Sequence, residues 1–190
     1  MLKTNLDSLT ETRLDTEQVF DGVLLKVHRD TVRLPDGKSS VREYIRHPGA
    51  VVVLAVLPDG RLVFERQFRY PLGLAFIELP AGKLDAGESI EACARRELRE
   101  EVGYEAEHWT HVGTMHPCIG YSDEHIEVFV ATALRYVGHQ WDEGEFLEIL
   151  SLSLDEARSA MQRGELTDGK TLSALFMAAA RTITNSSGSE

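Results

Sequence analysis

Gly82–Tyr104 reads GKLDAGESIEACARRELREEVGY, and its two halves follow different rules. The first half is a loop punctuated by Gly82 and Gly87. From Ser89 to Val102 the residues are mostly the helix formers Glu, Ala, Leu and Arg, and Gly103 is placed to stop the helix. Ser89 is a candidate N-cap, with Glu88 and Gly87 as competitors. Ile90, Ala94, Leu98 and Val102 form one row at four-residue spacing, which gives the helix a face to bury; Cys93, Glu97 and Glu101 form the next row. Glu97, Glu100 and Glu101 therefore project from neighbouring positions of one face. Like charges so placed repel by a few tenths of a kcal/mol each. A hard divalent cation such as Mg²⁺, which takes oxygen ligands and keeps several waters, would turn that repulsion into affinity. The competing reading is a solvated face carrying the ion pairs Glu91–Arg95 and Arg96–Glu100.

Outward from this segment the chain alternates strand and turn signals. Val19 to Arg33 is strand-like, Leu34–Gly37 (LPDG) makes a turn, and Val41 to Arg46 reads as a returning strand. Ala50 to Leu57 (AVVVLAVL) is a continuous apolar run that suits a strand buried on both faces, stopped by Pro58-Asp59-Gly60. Arg61 to Phe68 alternates and is expected to pair with it as a hairpin. Beyond the helix, Trp109 to Met115, His125 to Ala133 and Glu145 to Leu152 read as strands. Leu154 to Arg163 and Thr171 to Ile183 read as closing helices. The sum is an α/β (α+β) fold, a mixed β-sheet sandwiched between helices. An N-terminal antiparallel strand extension is expected over 1–45, the main domain over 46–185 and a disordered tail over 186–190.

The chain has 190 residues, 43% hydrophobic, enough for one domain with a real core. The formal net charge of −11 argues against nucleic acid as a partner, since phosphate backbones are held by clustered Lys and Arg. No apolar run is long enough to span a bilayer, and Met1 to Gln18 is too polar and acidic for a secretory signal. Cys93 and Cys118 lack metal-ligand spacing and read as reduced thiols, so a cytoplasmic protein is expected. His108 and His111 share an HxxH spacing with no third ligand in view, so no zinc site is expected.

At Gly82–Tyr104 the resemblance becomes specific. The segment resembles the Nudix box: Gly, five residues, Glu, seven residues, Arg-Glu, an aliphatic, any residue, Glu-Glu, any residue, Gly, an aliphatic. Gly82, Glu88, Arg96, Glu97, Leu98, Glu100, Glu101 and Gly103 all fall in register. The one departure is Tyr104 in the last aliphatic place, a packing position. The resemblance implies the Nudix fold and metal-dependent hydrolysis of a nucleoside diphosphate linked to another moiety. It implies that Glu97 and Glu101 are metal ligands, with Glu100 a ligand or close support and the Ala81 carbonyl completing the shell. Arg96 and Glu88 would orient the glutamates and brace the loop. Two or three Mg²⁺ ions (Mn²⁺ as an alternative) would neutralise the diphosphate and activate a water.

Glu65–Pro71 (ERQFRYP), Glu78–Gly82 (ELPAG) and Pro117–Glu124 (PCIGYSDE) resemble the ADP-ribose pyrophosphatase branch. That likeness implies a glutamate on a later loop that assists the attacking water. In Trp141-Asp142-Glu143-Gly144-Glu145 the role falls to Glu143 first and Glu145 second. It implies a diphosphate contact for Arg69 and substrate contacts for Arg42, Glu43, Ser122 and Glu124. It also implies a homodimer whose N-terminal strands help line the other copy's site. Phe20 or Tyr44 would then stack on adenine, with core packing the alternative for each. The activity implied is hydrolysis of ADP-ribose to AMP and ribose 5-phosphate. Alternatives are another nucleotide sugar such as GDP-mannose, or a non-catalytic ADP-ribose-sensing module. The sensor would be expected to carry a broken box or a DNA-binding segment, and neither is seen.

Overall fold

The computed structural model of the chain describes residues 8–141 and 143–186, with side chains of the last helix described as far as Arg181. Apart from Ser186, the expected tail lies outside the described residues. The chain forms two compact units, residues 8–47 with Cys118–Glu124, and residues 48–117 with 125–186.

The first unit is an antiparallel sheet of β1 (Thr12–Asp21), β2 (Lys26–Arg33) and β3 (Ser39–Arg46) in that order. The single strand expected over Val19 to Arg33 is instead two. The chain reverses after Asp21, where the Gly22 N–H donates to the Leu25 carbonyl at 2.9 Å, and Phe20 then faces Val27 across the pair. The turn expected at Leu34–Gly37 forms, with Gly37 N–H on the Leu34 carbonyl at 2.9 Å. The Cys118–Glu124 segment joins this unit through Ile45 N–H to the Tyr121 carbonyl, 2.8 Å, and Asp123 N–H to the Ile45 carbonyl, 3.2 Å.

In the second unit, β4 (Ala50–Ala55) is buried at every residue, as its unbroken apolar run requires. It lies between β7 (Ala81–Lys83), antiparallel, and β9 (Ile126–Tyr136), parallel, and β8 (Tyr104–Met115) completes a mixed four-stranded sheet. Val51, Val53 and Ala55 pack with Cys93, Ala94, Leu98 and Val102 of α1 (Ile90–Val102). Ala50, Val52 and Leu54 pack on the other side with Ala174 of α3 (Gly169–Ser186) and with Ala157 and Ala160 of α2 (Leu154–Gln162). Each fully buried Val or Leu contributes about 1.5–3 kcal/mol of gross hydrophobic stabilisation.

The hairpin expected between Ala50–Leu57 and Arg61–Phe68 does not form. The turn is present, with Leu57 N–H on the Arg61 carbonyl at 2.8 Å, but the strands share only the bridge Val56–Leu62. Both edges of β4 are already taken by β7 and β9. The returning strand β5 (Leu62–Arg69) therefore pairs elsewhere, between β10 (Leu147–Leu152) and β6 (Leu74–Glu78). Neither β6 nor β7 is foreseen in the sequence, which reads the stretch around Pro80–Gly82 as loop. Among the described residues, no helix is long and apolar enough to cross a membrane.

Candidate active site

The helix α1 starts and stops as its sequence demands. Ser89 is the N-cap and its side chain accepts the Ala92 N–H at 3.2 Å; Gly103 takes φ 76°, a left-handed conformation that costs glycine little. Gly103 also leaves room for the chain beyond β9, since a Cβ there would sit 2.7 Å from the His139 nitrogen.

Arg96 gathers carboxylates from both the half-buried edge and the inward face of the helix. Its Nε and Nη2 meet the two oxygens of Glu88, each at 3.0 Å, and Nη2 also donates to the Lys83 carbonyl at 3.2 Å. Its Nη1 reaches Glu97 at 2.7 Å and Glu100 at 3.1 Å. These bonds tie the loop to the helix. The Arg96 guanidinium holds Glu88 down to about 2, and Glu88 in turn raises the Arg96 pKa. The ion pair Glu91–Arg95 is also present, at 2.7 Å, on the exposed side.

Glu97 and Glu101 turn inward. Glu97 is 9% exposed and Glu101 5%. Gly82 lies so close to Glu97 that a Cβ there would stand 1.8 Å from its Oε1, so this box position admits only glycine without displacing the carboxylate. The Ala81 N–H donates to Glu101 Oε2 at 2.9 Å. Burial pushes the Glu97 pKa up to about 7, against the pull of Arg96, and pushes Glu101 well above the ordinary carboxylate range.

Opposite the helix, two further glutamates are buried, one on each of two paired strands. Glu65 of β5 stands across from Glu78 of β6. Glu78 is held by Arg69, Nε to Oε1 and Nη2 to Oε2 at 2.7 Å each, and by Lys170 at the start of α3. Lys170 is steadied by Asp168 at 3.0 Å. Arg69 Nη1 makes no hydrogen bond among the described residues. Glu65 has no such cation on it. Burial, reinforced by the Glu78 charge, pushes its pKa up to about 8. Sequence reasoning assigned no role to Glu65, Glu78, Asp168 or Lys170. Glu65 and Glu78 show in the sequence only as charge inside the stretches ERQFRYP and ELPAG, and Asp168 and Lys170 lie outside both.

The loop that carries Glu143 and Glu145 is tied to the far end of α1. Val137 N–H donates to the Gly103 carbonyl at 2.8 Å, Gln140 N–H to the Glu100 carbonyl at 3.0 Å, and Trp141 Nε1–H to the Glu101 carbonyl at 2.8 Å. Glu145 is half-buried, and its charge acts on Glu65, Glu97 and Glu101; Glu143 is exposed in a turn.

The remaining candidates all lie in the first unit. Arg42 pairs with Glu11, Glu43 with Arg29 at 2.8 Å, and Phe20 is 55% exposed. Tyr44 donates to Asp30 at 3.2 Å and stacks on His28. The Ser122 hydroxyl donates to the Ile45 carbonyl at 3.4 Å and accepts the Glu124 N–H at 3.1 Å, while Glu124 lies 3.9 Å from His47.

Residues 46–175 match the model of the NUDIX domain. The chain belongs to the Nudix family. Residues 11–45 match the nucleoside diphosphate sugar hydrolase N-terminal domain. The chain is similar to an ADP-ribose pyrophosphatase of Bacillus subtilis, 40% identical over 172 residues, covering 90% of this chain and 93% of the relative. It is also similar to a methanol dehydrogenase activator of Bacillus methanolicus, 40% identical over 167 residues, 87% of this chain and 90% of the relative. A solved structure described as an ADP compounds hydrolase superposes with a TM-score of 0.82 at 26% identity, covering 95% of this chain and 98% of that one.

Nudix hydrolases use divalent metal ions. Among the described residues, no three His, Cys, Asp or Glu side chains stand together as a ready ligand set. Glu97 and Glu100 are drawn onto Arg96. The donor set of this Nudix helix fits a hard cation nonetheless. Every candidate is an oxygen, two of the carboxylates are buried with raised pKa values, and the buried Glu65 Oε2 has no hydrogen-bond partner.

Proposed function

We propose that the chain hydrolyses the diphosphate of ADP-ribose to AMP and ribose 5-phosphate with Mg²⁺, two or three ions per site, and Mn²⁺ as a substitute. The observation that carries this reading is the inward face of α1, where Glu97 and Glu101 are buried without enough positive charge to balance them. Glu97, Glu100 and Glu101 hold the ions together with the Ala81 carbonyl, and Glu97 leaves Arg96 to do so. Bound there, the ions neutralise diphosphate charge and lower the pKa of water.

The chain's own groups supply the rest. Arg96 keeps Glu88 and the loop against the helix while the ligands rearrange. Arg69, fixed on both sides by Glu78, offers its remaining Nη1 to a phosphoryl oxygen. Glu145 takes the proton of the attacking water, ahead of Glu143, because its charge reaches the buried carboxylates and it is half-buried.

We further propose a cytoplasmic homodimer formed through the first unit. All of β1 is exposed, and Leu14, Val19, Phe20, Leu24 and Leu25 are exposed apolar side chains close together in sequence. Phe20, Arg42, Glu43, Ser122 and Glu124 then serve substrate binding in the dimer. Light scattering on the purified chain tests the dimer: a monomer at micromolar concentration removes this part of the proposal.

The activity is tested by turnover of ADP-ribose against a panel of nucleotide sugars that includes GDP-mannose, with Mg²⁺ and with chelator. Metal-dependent release of AMP and ribose 5-phosphate, lost in Glu97→Gln and Glu101→Gln, supports the reading. Faster cleavage of another sugar moves the substrate and keeps the chemistry. Tight ADP-ribose binding with no turnover replaces the enzyme by a sensor.

A further inference from the structure

Glu65 lies outside the Nudix box, on a strand that the box does not touch in sequence. Its strand position nevertheless fixes which way it faces. Val63, two residues earlier and on the same side of β5, packs among Cys93, Ala94 and Leu98 of α1. Ile149, opposite Glu65 on β10, belongs to that same cluster. Glu65 therefore points toward the helix that carries Glu97 and Glu101.

The side chain is 1% exposed, and its Oε2 has no hydrogen-bond partner among the described residues. The neighbouring cations are spent elsewhere. Arg69 and Lys170 are both on Glu78, and Arg96 is on Glu88, Glu97 and Glu100. A neutral carboxylic acid at this position would also need an acceptor for its proton, and Oε2 faces none. The charges of Glu78 and Glu145 act on Glu65 against the pull of Lys170 and Arg69, and its own charge acts on Glu101. An orphaned, buried, hard oxygen facing the helix that carries Glu101 matches a divalent cation better than it matches an apolar wall.

We propose that Glu65 supplies a ligand, from the sheet side, to a divalent cation that Glu101 holds from the helix side. The proposal rests on the reading of α1 as a cation-holding helix and adds to it a residue from β5. The site then spans helix and sheet: Glu101 approaches from α1, Glu65 from β5. Glu78 stays with Arg69 and Lys170 as the charge-balanced neighbour, so one member of the strand pair is neutralised by protein and the other by the ion.

The test is Mn²⁺ binding to the full chain without substrate, read from the loss of the free-ion paramagnetic resonance signal. The melting temperature is followed alongside, with and without the ion. Wild type, Glu65→Gln and Glu97→Gln are compared. Glu65→Gln is expected to weaken the tightest Mn²⁺ about tenfold or more. It should also shrink the ion-induced rise in melting temperature. Mn²⁺ binding within about twofold of wild type in Glu65→Gln, while Glu97→Gln loses it, overturns the proposal and leaves the helix reading intact. Wild-type binding in both variants overturns the two together. If Glu65→Gln does not fold, Glu65→Asp keeps the charge but withdraws the oxygens, and it is read the same way: weakened binding supports the assignment and unchanged binding overturns it.

Discussion

Both units carry exposed ion pairs, and the first buries one carboxylate, Asp30, where the second buries a group of them. In the first, Arg29–Glu43, Arg42–Glu11 and Lys26–Asp21 are exposed pairs on a sheet surface. Water screens such pairs, and each contributes little to stability. In the second, Glu65, Glu78, Glu97 and Glu101 are buried, and only Glu78 is fully matched by cations. Burying carboxylates without matching charge opposes folding. A fold that keeps several of them on facing elements is holding charge in reserve for something that arrives later. Charge count alone does not separate the two units; solvent access does.

The sharpest way to break this contrast is Glu97→Gln. It is expected to lower metal-dependent ADP-ribose turnover by about 100-fold or more, whereas Glu43→Gln in the first unit should leave the metal dependence unchanged. Steady-state rates across a Mg²⁺ titration decide it. Next comes Gly82→Ala, whose Cβ would collide with Glu97 at 1.8 Å. A loss of about tenfold or more in turnover, with the fold retained by circular dichroism, is expected; unchanged turnover would show that the Glu97 position against Gly82 is not the one the reaction needs.

Arg96→Ala then probes stability. Glu88, Glu97 and Glu100 lose a shared partner, at a cost of about 1–3 kcal/mol in urea unfolding. The pH response sharpens the comparison further. Folded metal-free protein keeps protons on Glu97 up to about 7 and on Glu65 up to about 8, while the ordinary carboxylate value is 4.5. Their contribution to stability is full below that value and is lost as pH rises through 7 and 8. With chelator, the melting temperature should fall by roughly 5 °C between about pH 5 and 9, and Glu65→Gln should flatten the slope. Arg42→Ala, removing an exposed and screened pair, should leave the urea unfolding midpoint where it is in wild type.

Much of this was legible before any coordinates. The helix, its Ser89 cap, its Gly103 stop and its buried row follow from local propensity and four-residue spacing, which need no knowledge of distant chain. The pairing of β5 was not legible, because Pro58-Asp59-Gly60 dictates a reversal but not which edge is vacant. Nor was the burial of Glu65. In RLVFERQF a glutamate after three apolar residues and before Arg66 reads as the solvent-facing end of the strand. In the fold, Leu62, Val63, Phe64 and Glu65 are all buried, since β5 is central in its sheet and covered on both faces. Lys170 was hidden for a related reason: it reaches Glu78 from the opposite end of the chain, a meeting that no local pattern encodes.

The last carbonyls of α1 have a second use. A helix ends with acceptors that find no partner within it, and here those of Glu100 and Glu101, with the cap carbonyl of Gly103, receive the chain that leads toward Glu145. The loop is thus moored to the same helix turn that carries the carboxylates. Its upstream anchorage and the box carboxylates therefore share one stretch of helix, and a change in loop length beyond Trp141 is expected to alter ADP-ribose turnover without altering the box.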